Sequence, residues 1–181
     1  MDSEQLLWED FRKGSEKAFE QLYAKFYHVL FDYAVRFSPD KALVKDCIQE
    51  LFIEIWEKRR HIAQVSSVKG YLFVSIRRKI FRKLATKENQ PQHIDSEYQF
   101  TVVPPHDAVL IRNEQHRQQT ALLEKHVSNL SPRQKEVIFL KFHGDLSYQE
   151  ISEIMELKDP RYARQIIYRI LDKLREVMKI S

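Results

Sequence analysis

Apolar residues recur at helical spacing along most of the chain. Phe19, Leu22, Tyr23, Phe26, Leu30 and Tyr33 follow at three- and four-residue steps, within a periodic run from about Glu4 to Arg36. "SPDK", Ser38 to Lys41, supplies a break and a new helix start. A second run reaches about Arg60, with Ile48, Leu51, Phe52 and Ile55 on its apolar side. The polar stretch "HIAQVSSVKG" then leads into a third run from Tyr71 to about Lys87, where Leu72, Ile76, Ile80 and Leu84 line the core side. The next segment, Asn89 to His106, carries three prolines and no helical period, which makes it an extended linker. Helical periodicity returns in "DAVLIRNEQHRQQTALLEKHVSNL". The pattern predicts an all-α chain of two small helical domains, residues 1–88 and 108–181, joined by a linker over 89–107.

Start signals in the last third are explicit. "SPRQ" places Ser131 as N-cap, Pro132 at the first helical position and Gln134 where it can reach back. Ser147 and Glu150 form a second capping-box pattern, with Leu146 and Ile151 at the positions of a hydrophobic staple. That helix buries Ile151, Ile154 and Met155. "DP", Asp159 and Pro160, starts another at a sharp angle, so the stretch predicts a helix-turn-helix. Along the second helix Ala163, Ile166, Ile167, Ile170, Leu174 and Val177 share one face. Arg161, Arg164, Gln165, Tyr168 and Arg169 share the other. Such a front suits the DNA major groove, because guanidiniums fork onto guanine or phosphate and a glutamine amide pairs with adenine. On these residues alone it equally suits the solvated face of a core helix.

The middle of the chain adds chemistry. From Lys58 to Lys87 there is no aspartate or glutamate, and the interval holds Lys58, Arg59, Arg60, Lys69, Arg77, Arg78, Lys79, Arg82, Lys83 and Lys87. Tyr71, Ser75, Arg78 and Arg82 point away from the apolar side, with Val74 and Phe81 flanking them. Rings interleaved with cations suit an unpaired nucleic-acid strand, since rings stack on bases and cations follow phosphates. The preceding helix is its opposite: Asp46, Glu50, Glu54 and Glu57 form one stripe. Ile53 projects from that acidic face beside Gln49, a placement that suits docking against a basic partner helix.

Composition narrows the classes. The 181 residues are 43% hydrophobic with 12% aromatics, enough for packed cores, and 3 glycines argue against a loop-rich β fold. The net charge of +4 is too mild to name a partner by itself. The one cysteine, Cys47, lies in an apolar pattern and is expected to be a buried thiol in a reducing compartment. No apolar run is long enough to span a membrane and the N-terminus lacks a signal peptide's pattern, so a cytoplasmic protein without membrane insertion is expected. Seven scattered histidines show no metal-ligand spacing, and no glycine-rich phosphate loop occurs; neither a metal, a cofactor nor an enzymatic activity is expected.

"DCIQELFIEIW", "GYLFVSIRRKIFRKL" and "LSPRQKEVIFLKFHGDLSYQEISEIM", in this order and at this spacing, resemble the extracytoplasmic-function (ECF) group of the sigma-70 family of bacterial RNA polymerase sigma factors. The resemblance implies that Asp46, Gln49, Glu50, Ile53 and Glu57 dock on the β′ clamp of core RNA polymerase, with Trp56 structural and the β subunit a further contact. It implies that Ser66 to Lys83, with Lys69, Tyr71, Arg77, Arg78 and Arg82, melts and captures the promoter −10 element. Arg161, Arg164, Gln165, Tyr168 and Arg169 would read the −35 element, and the linker would thread toward the active-site and RNA-exit channels. Members of the group are often held by an anti-sigma factor, a partner the resemblance admits here. The chain departs from the family pattern where Arg78 replaces a common asparagine and Glu156 the usual turn glycine, and "ELKDPRYARQ" is one residue longer. The rival reading, a dimeric helix-turn-helix regulator binding operator DNA, accounts for the C-terminal third but leaves the Ile53 stripe and the acid-free helix without tasks.

Overall fold

A computed structural model describes residues 3–87, 98–102 and 125–179, and all regular structure among them is α-helical. The helices are α1 (Ser3–Arg12), α2 (Glu16–Ala34), α3 (Lys41–Lys58), α4 (Val68–Lys87), α5 (Pro132–Phe142), α6 (Tyr148–Ile154) and α7 (Pro160–Lys179). The chain divides into two compact units, residues 1–96 and 97–181.

In the first unit, α2, α3 and α4 pack around Leu22, Phe26, Leu30, Val44, Ile48, Leu51, Leu72 and Ile76, all buried. Tyr33 of α2 meets Phe73 of α4, with ring centroids 5.0 Å apart. The single run expected from Glu4 to Arg36 is in fact two helices. Gly14 takes φ +98°, a left-handed conformation that a side chain disfavours. Ser15 then caps α2, its Oγ accepting from Ala18 N at 3.2 Å. The buried set Trp8, Phe11, Ala18, Leu22 keeps helical spacing across this break, so periodicity alone does not reveal it. α3 starts where expected, capped by Asp40 through Ala42 N and Leu43 N. α4 starts three residues before the expected Tyr71, because Ser67 Oγ accepts from Gly70 N at 2.9 Å and Val68 is buried. Cys47 is fully buried, and burial first, then neighbouring Glu50, pushes its thiol up to about 11.

In the second unit both capping boxes form. Ser131 exchanges hydrogen bonds with Gln134, and Ser147 with Glu150. Leu146 and Ile151, the staple pair, are buried, as are Ile154, Met155, Ala163, Ile167 and Ile170. Ile166 and Leu174 are only partly covered, at the edge of the face assigned to the core; the side chain of Val177 lies outside the described residues. Between α6 and α7 the chain reverses at Glu156, whose φ of +52° is the conformation a glycine would take without strain. The turn is tied by Leu157 N donating to Ser152 O at 2.8 Å and Ser152 Oγ to Leu157 O at 3.2 Å.

Residues 98–102, expected within the linker, lie in the second unit. Phe100 is buried, its ring 5.9 Å from that of Phe139, and the Tyr98 hydroxyl donates to the buried carboxylate of Glu136. Burying one phenylalanine contributes roughly 1.5–3 kcal/mol, enough to seat a short segment that has no period of its own. The rest of the expected linker lies outside the described residues. So does most of the helix expected from Asp107 to Leu130, of which residues 125–128 form a helical turn.

The turns and the thiol each set measurable outcomes. Glu156→Gly relieves the left-handed strain and should stabilise the second unit by about 1 kcal/mol. Gly144→Ala should destabilise it, because its Cβ would stand 2.7 Å from Leu140 O; urea unfolding of the two variants, moving in opposite directions, checks both. Cys47 should react with a thiol reagent only at the rate of unfolding at neutral pH. Its raised value stabilises the fold at and below neutrality, a contribution lost as pH rises from about 9 toward 11. Stability curves for Cys47 and Cys47→Ala chains that stay parallel over that range would contradict this.

Candidate nucleic-acid interface

α3 buries Ile48, Leu51, Phe52 and Ile55, which turns Asp46, Gln49, Ile53 and Glu57 to solvent. Ile53 is 55% exposed, the more unusual because acids and Gln49 surround it. Trp56 is partly covered, its ring 5.0 Å from Phe19 and under the Arg59 guanidinium at 4.2 Å, as a structural residue should be. Glu50 is not free on the stripe. Its carboxylate accepts from Lys83 Nζ at 2.6 Å and Lys79 Nζ at 3.4 Å, while Glu54 accepts from Lys79 at 2.5 Å. The Lys83 hydrogen bond is the main reason Glu50 sits below the usual carboxylate range. Helical periodicity, which places each stripe on its own helix, does not reveal this bridge between them. Its signal was present: Glu50/Glu54 and Lys79/Lys83 are both spaced by four on consecutive helices.

On α4, Arg78 and Arg82 are exposed and Lys69 partly so. Tyr71 is half-buried, edge-on to Trp8 at 5.5 Å, and burial, opposed by a hydrogen bond with Ser75, raises its hydroxyl. Tyr71, Ser75, Arg78 and Arg82 line one wall of a groove of about 180 Å³ whose other wall is Leu51, Glu54, Ile55 and Lys58. Arg77 does not belong with them. It is buried, 3% exposed, with its guanidinium 4.7 Å from the centroid of Phe81. Phe81, expected on the flank of the outer face, is itself buried and meets Phe37 edge-on at 5.3 Å. The assignment of a cation to the outside fails here because an aromatic face offers a guanidinium a place within the fold.

In the second unit α7 buries Ala163, Ile167 and Ile170 and exposes Arg161, Arg164, Gln165, Tyr168 and Arg169 together. The Arg164 guanidinium lies 5.2 Å from the Tyr168 ring. Asp159 does more than cap: Oδ1 accepts from Arg161 N at 2.7 Å, and the two carboxylate oxygens hold Arg161 Nε and Nη2 at 2.8–3.1 Å. Among the described residues no three His, Cys, Asp or Glu side chains converge on a metal position, and no helix is long and apolar enough to cross a membrane.

Two family models match the chain, Sigma-70 region 2 over residues 22–90 and Sigma-70 region 4 over residues 127–176, together well over half of its length. No curated protein matches. Among solved structures, CnrH in complex with the cytosolic domain of CnrY shares the fold at a TM-score of 0.63 and 19% identity, over 99% of both chains. The sigma factor RpoE in complex with the anti-sigma factor NepR, from Bartonella quintana, does so at 0.61 and 19% identity, over 91% of this chain and 99% of that one. The chain belongs to the sigma-70 family of RNA polymerase sigma factors, the proteins that join core polymerase and direct initiation at promoters, and its region 2 followed closely by region 4 is the arrangement of the extracytoplasmic-function group.

Proposed function

We propose that the first unit docks core polymerase through the outer face of α3 and holds the melted −10 strand on α4, while α7 reads the −35 element. The observation that carries this reading is the exposed Ile53 among Asp46, Gln49 and Glu57, an apolar centre with a polar rim that suits a basic coiled coil such as the β′ clamp. Glu50 serves that face at its edge, shared with Lys79 and Lys83. Lys69, Tyr71, Arg78 and Arg82 then face the DNA strand, and Arg77 acts from within by fixing Phe81. The chain works in the cytoplasm as a binding subunit; the polymerase performs the chemistry and supplies the β contact. RpoE is held by the anti-sigma factor NepR, and a protein of that kind is the inhibitor we infer here.

Reconstitution with core polymerase, followed by mapping of transcript 5′ ends on genomic DNA, tests the whole reading: initiation at a common two-element motif is the expected result. Ile53→Asp or Glu57→Lys should weaken core binding about tenfold, roughly 1.4 kcal/mol, with an unchanged circular dichroism spectrum. Glu50→Lys is a poorer probe, since it sets a third amine beside Lys79 and Lys83. If both clean variants bind core like the parent, α3 is not the docking face. Arg78→Ala with Arg82→Ala should slow strand opening in permanganate footprinting more than it weakens duplex engagement, given about 1–3 kcal/mol per stacked base and the added loss of phosphate contacts. Normal opening on a −10-dependent promoter would make α4 a solvated face.

A further inference from the structure

Arg161 differs from the other cations of α7. Arg164 stacks on Tyr168, and among the described residues neither it nor Arg169 has a carboxylate partner. Arg161 is held along one edge: Asp159 Oδ1 accepts from Nε at 3.0 Å, and Oδ2 from Nε at 3.1 Å and Nη2 at 2.8 Å. The side chain is nonetheless 86% exposed. A guanidinium has five N–H donors in a rigid plane, so a carboxylate on the Nε–Nη2 edge leaves the Nη1–Nη2 edge, with its forked N–H pair, facing outward. Two physical consequences follow. The pair has no net charge, which removes most of what draws a cation to phosphate and releases counterions. The fork that remains is directional, and its geometry is that of the O6 and N7 acceptors of guanine in the major groove.

On the reading of α7 as the −35 helix, we propose that Asp159 is a positioning residue that presents Arg161 edge-on to a guanine, so that Arg161 specifies one G·C pair of the −35 element instead of clamping phosphate. The order Asp159-Pro160-Arg161 builds this locally. Asp159 caps the helix through Arg161 N at 2.7 Å, Pro160 fixes the backbone angle between them, and the same carboxylate is then within reach of the arginine side chain. An exposed ion pair of this kind adds little to folding. Its value lies in restricting a side chain that otherwise has many rotamers to freeze on binding.

The cap and the fork can be separated. Serine caps a helix as well as aspartate but is too short and uncharged to hold the guanidinium, so Asp159→Ser keeps one role and loses the other. Holoenzyme carrying each variant is given promoters randomised across the −35 element, and transcripts are sequenced; promoter and non-specific DNA binding are measured against salt. Arg161→Ala should flatten the preference at one G·C pair by about tenfold, within the range of a bidentate guanine contact, and leave the salt slope unchanged. Arg161→Lys keeps the charge without the fork and should lose the same preference. Asp159→Ser should lose part of it, several-fold at the same position, with an unchanged melting temperature. It should also bind non-specific DNA more tightly, because an unneutralised arginine now meets phosphate. A purely structural aspartate would produce neither shift. The proposal fails if Arg161→Ala weakens all promoters alike and lowers the log–log salt slope by about one, the mark of a phosphate contact. It also fails if Asp159→Ser leaves the base preference intact. A parent holoenzyme with no −35 preference at all would overturn the reading of α7 itself, a result distinct from both.

Discussion

A lysine amine enclosed between two helices must find its counter-charges there, and the first unit is arranged around how Lys79 does so. Its side chain is only 8% exposed, and its partners are Glu54 at 2.5 Å and Glu50 at 3.4 Å. Removing one partner of such a group leaves an uncompensated charge in a place water reaches poorly, so the register between α3 and α4 is held to the one in which these residues meet. Lys83 repeats the contact one turn along, on Glu50. The apolar faces of the two helices supply adhesion, which is tolerant of sliding; the ion pairs supply position, which is not. With that register set, Ile53 is left facing out on one side and Arg78 and Arg82 on the other.

The second unit reaches definition by a different route. Two of its helices are short, the eleven residues of α5 and the seven of α6, and isolated helices of those lengths do not persist in water. Each start is therefore closed by side chains: two complete capping boxes, a staple, and an aspartate before a proline. These devices cost no core volume and consume few residues. They leave the outer face of α7 out of the core, so that five polar or aromatic positions stand exposed there.

What could be read from the chain alone divides along the same physical line. Local signals were legible because they act within a few residues: both capping boxes, the Asp40 start, the apolar back of α3 and the Ala163, Ile167, Ile170 centre of the α7 back stand where the pattern puts them. Partnerships that neither a cap pattern nor an apolar period announces were not. The Gly14 break is hidden because Trp8, Phe11, Ala18 and Leu22 keep a common spacing through it. Phe100 sits in a proline-flanked stretch with no period, and only the proximity of Phe139 and Glu136 gives it a place to be buried. Arg77 is drawn inward by Phe81, a neighbour on its own helix, against the rule that sends cations outward. Exposure on α7 was predictable from periodicity; that Arg161 has a counter-charge there was not, since the carboxylate of Asp159 serves the side chain as well as the backbone.

The double employment of Asp159 has a consequence for how such a chain diverges. Several residue types satisfy the helix equally at that position, but only one of them also governs the arginine. If α7 reads the −35 element as proposed, exchanges among them are close to neutral for folding while altering which promoters are served. A lineage can drift from a selective to a permissive regulon, or back, without passing through an unstable intermediate, and an inherited copy of the gene has a short route to a new set of targets.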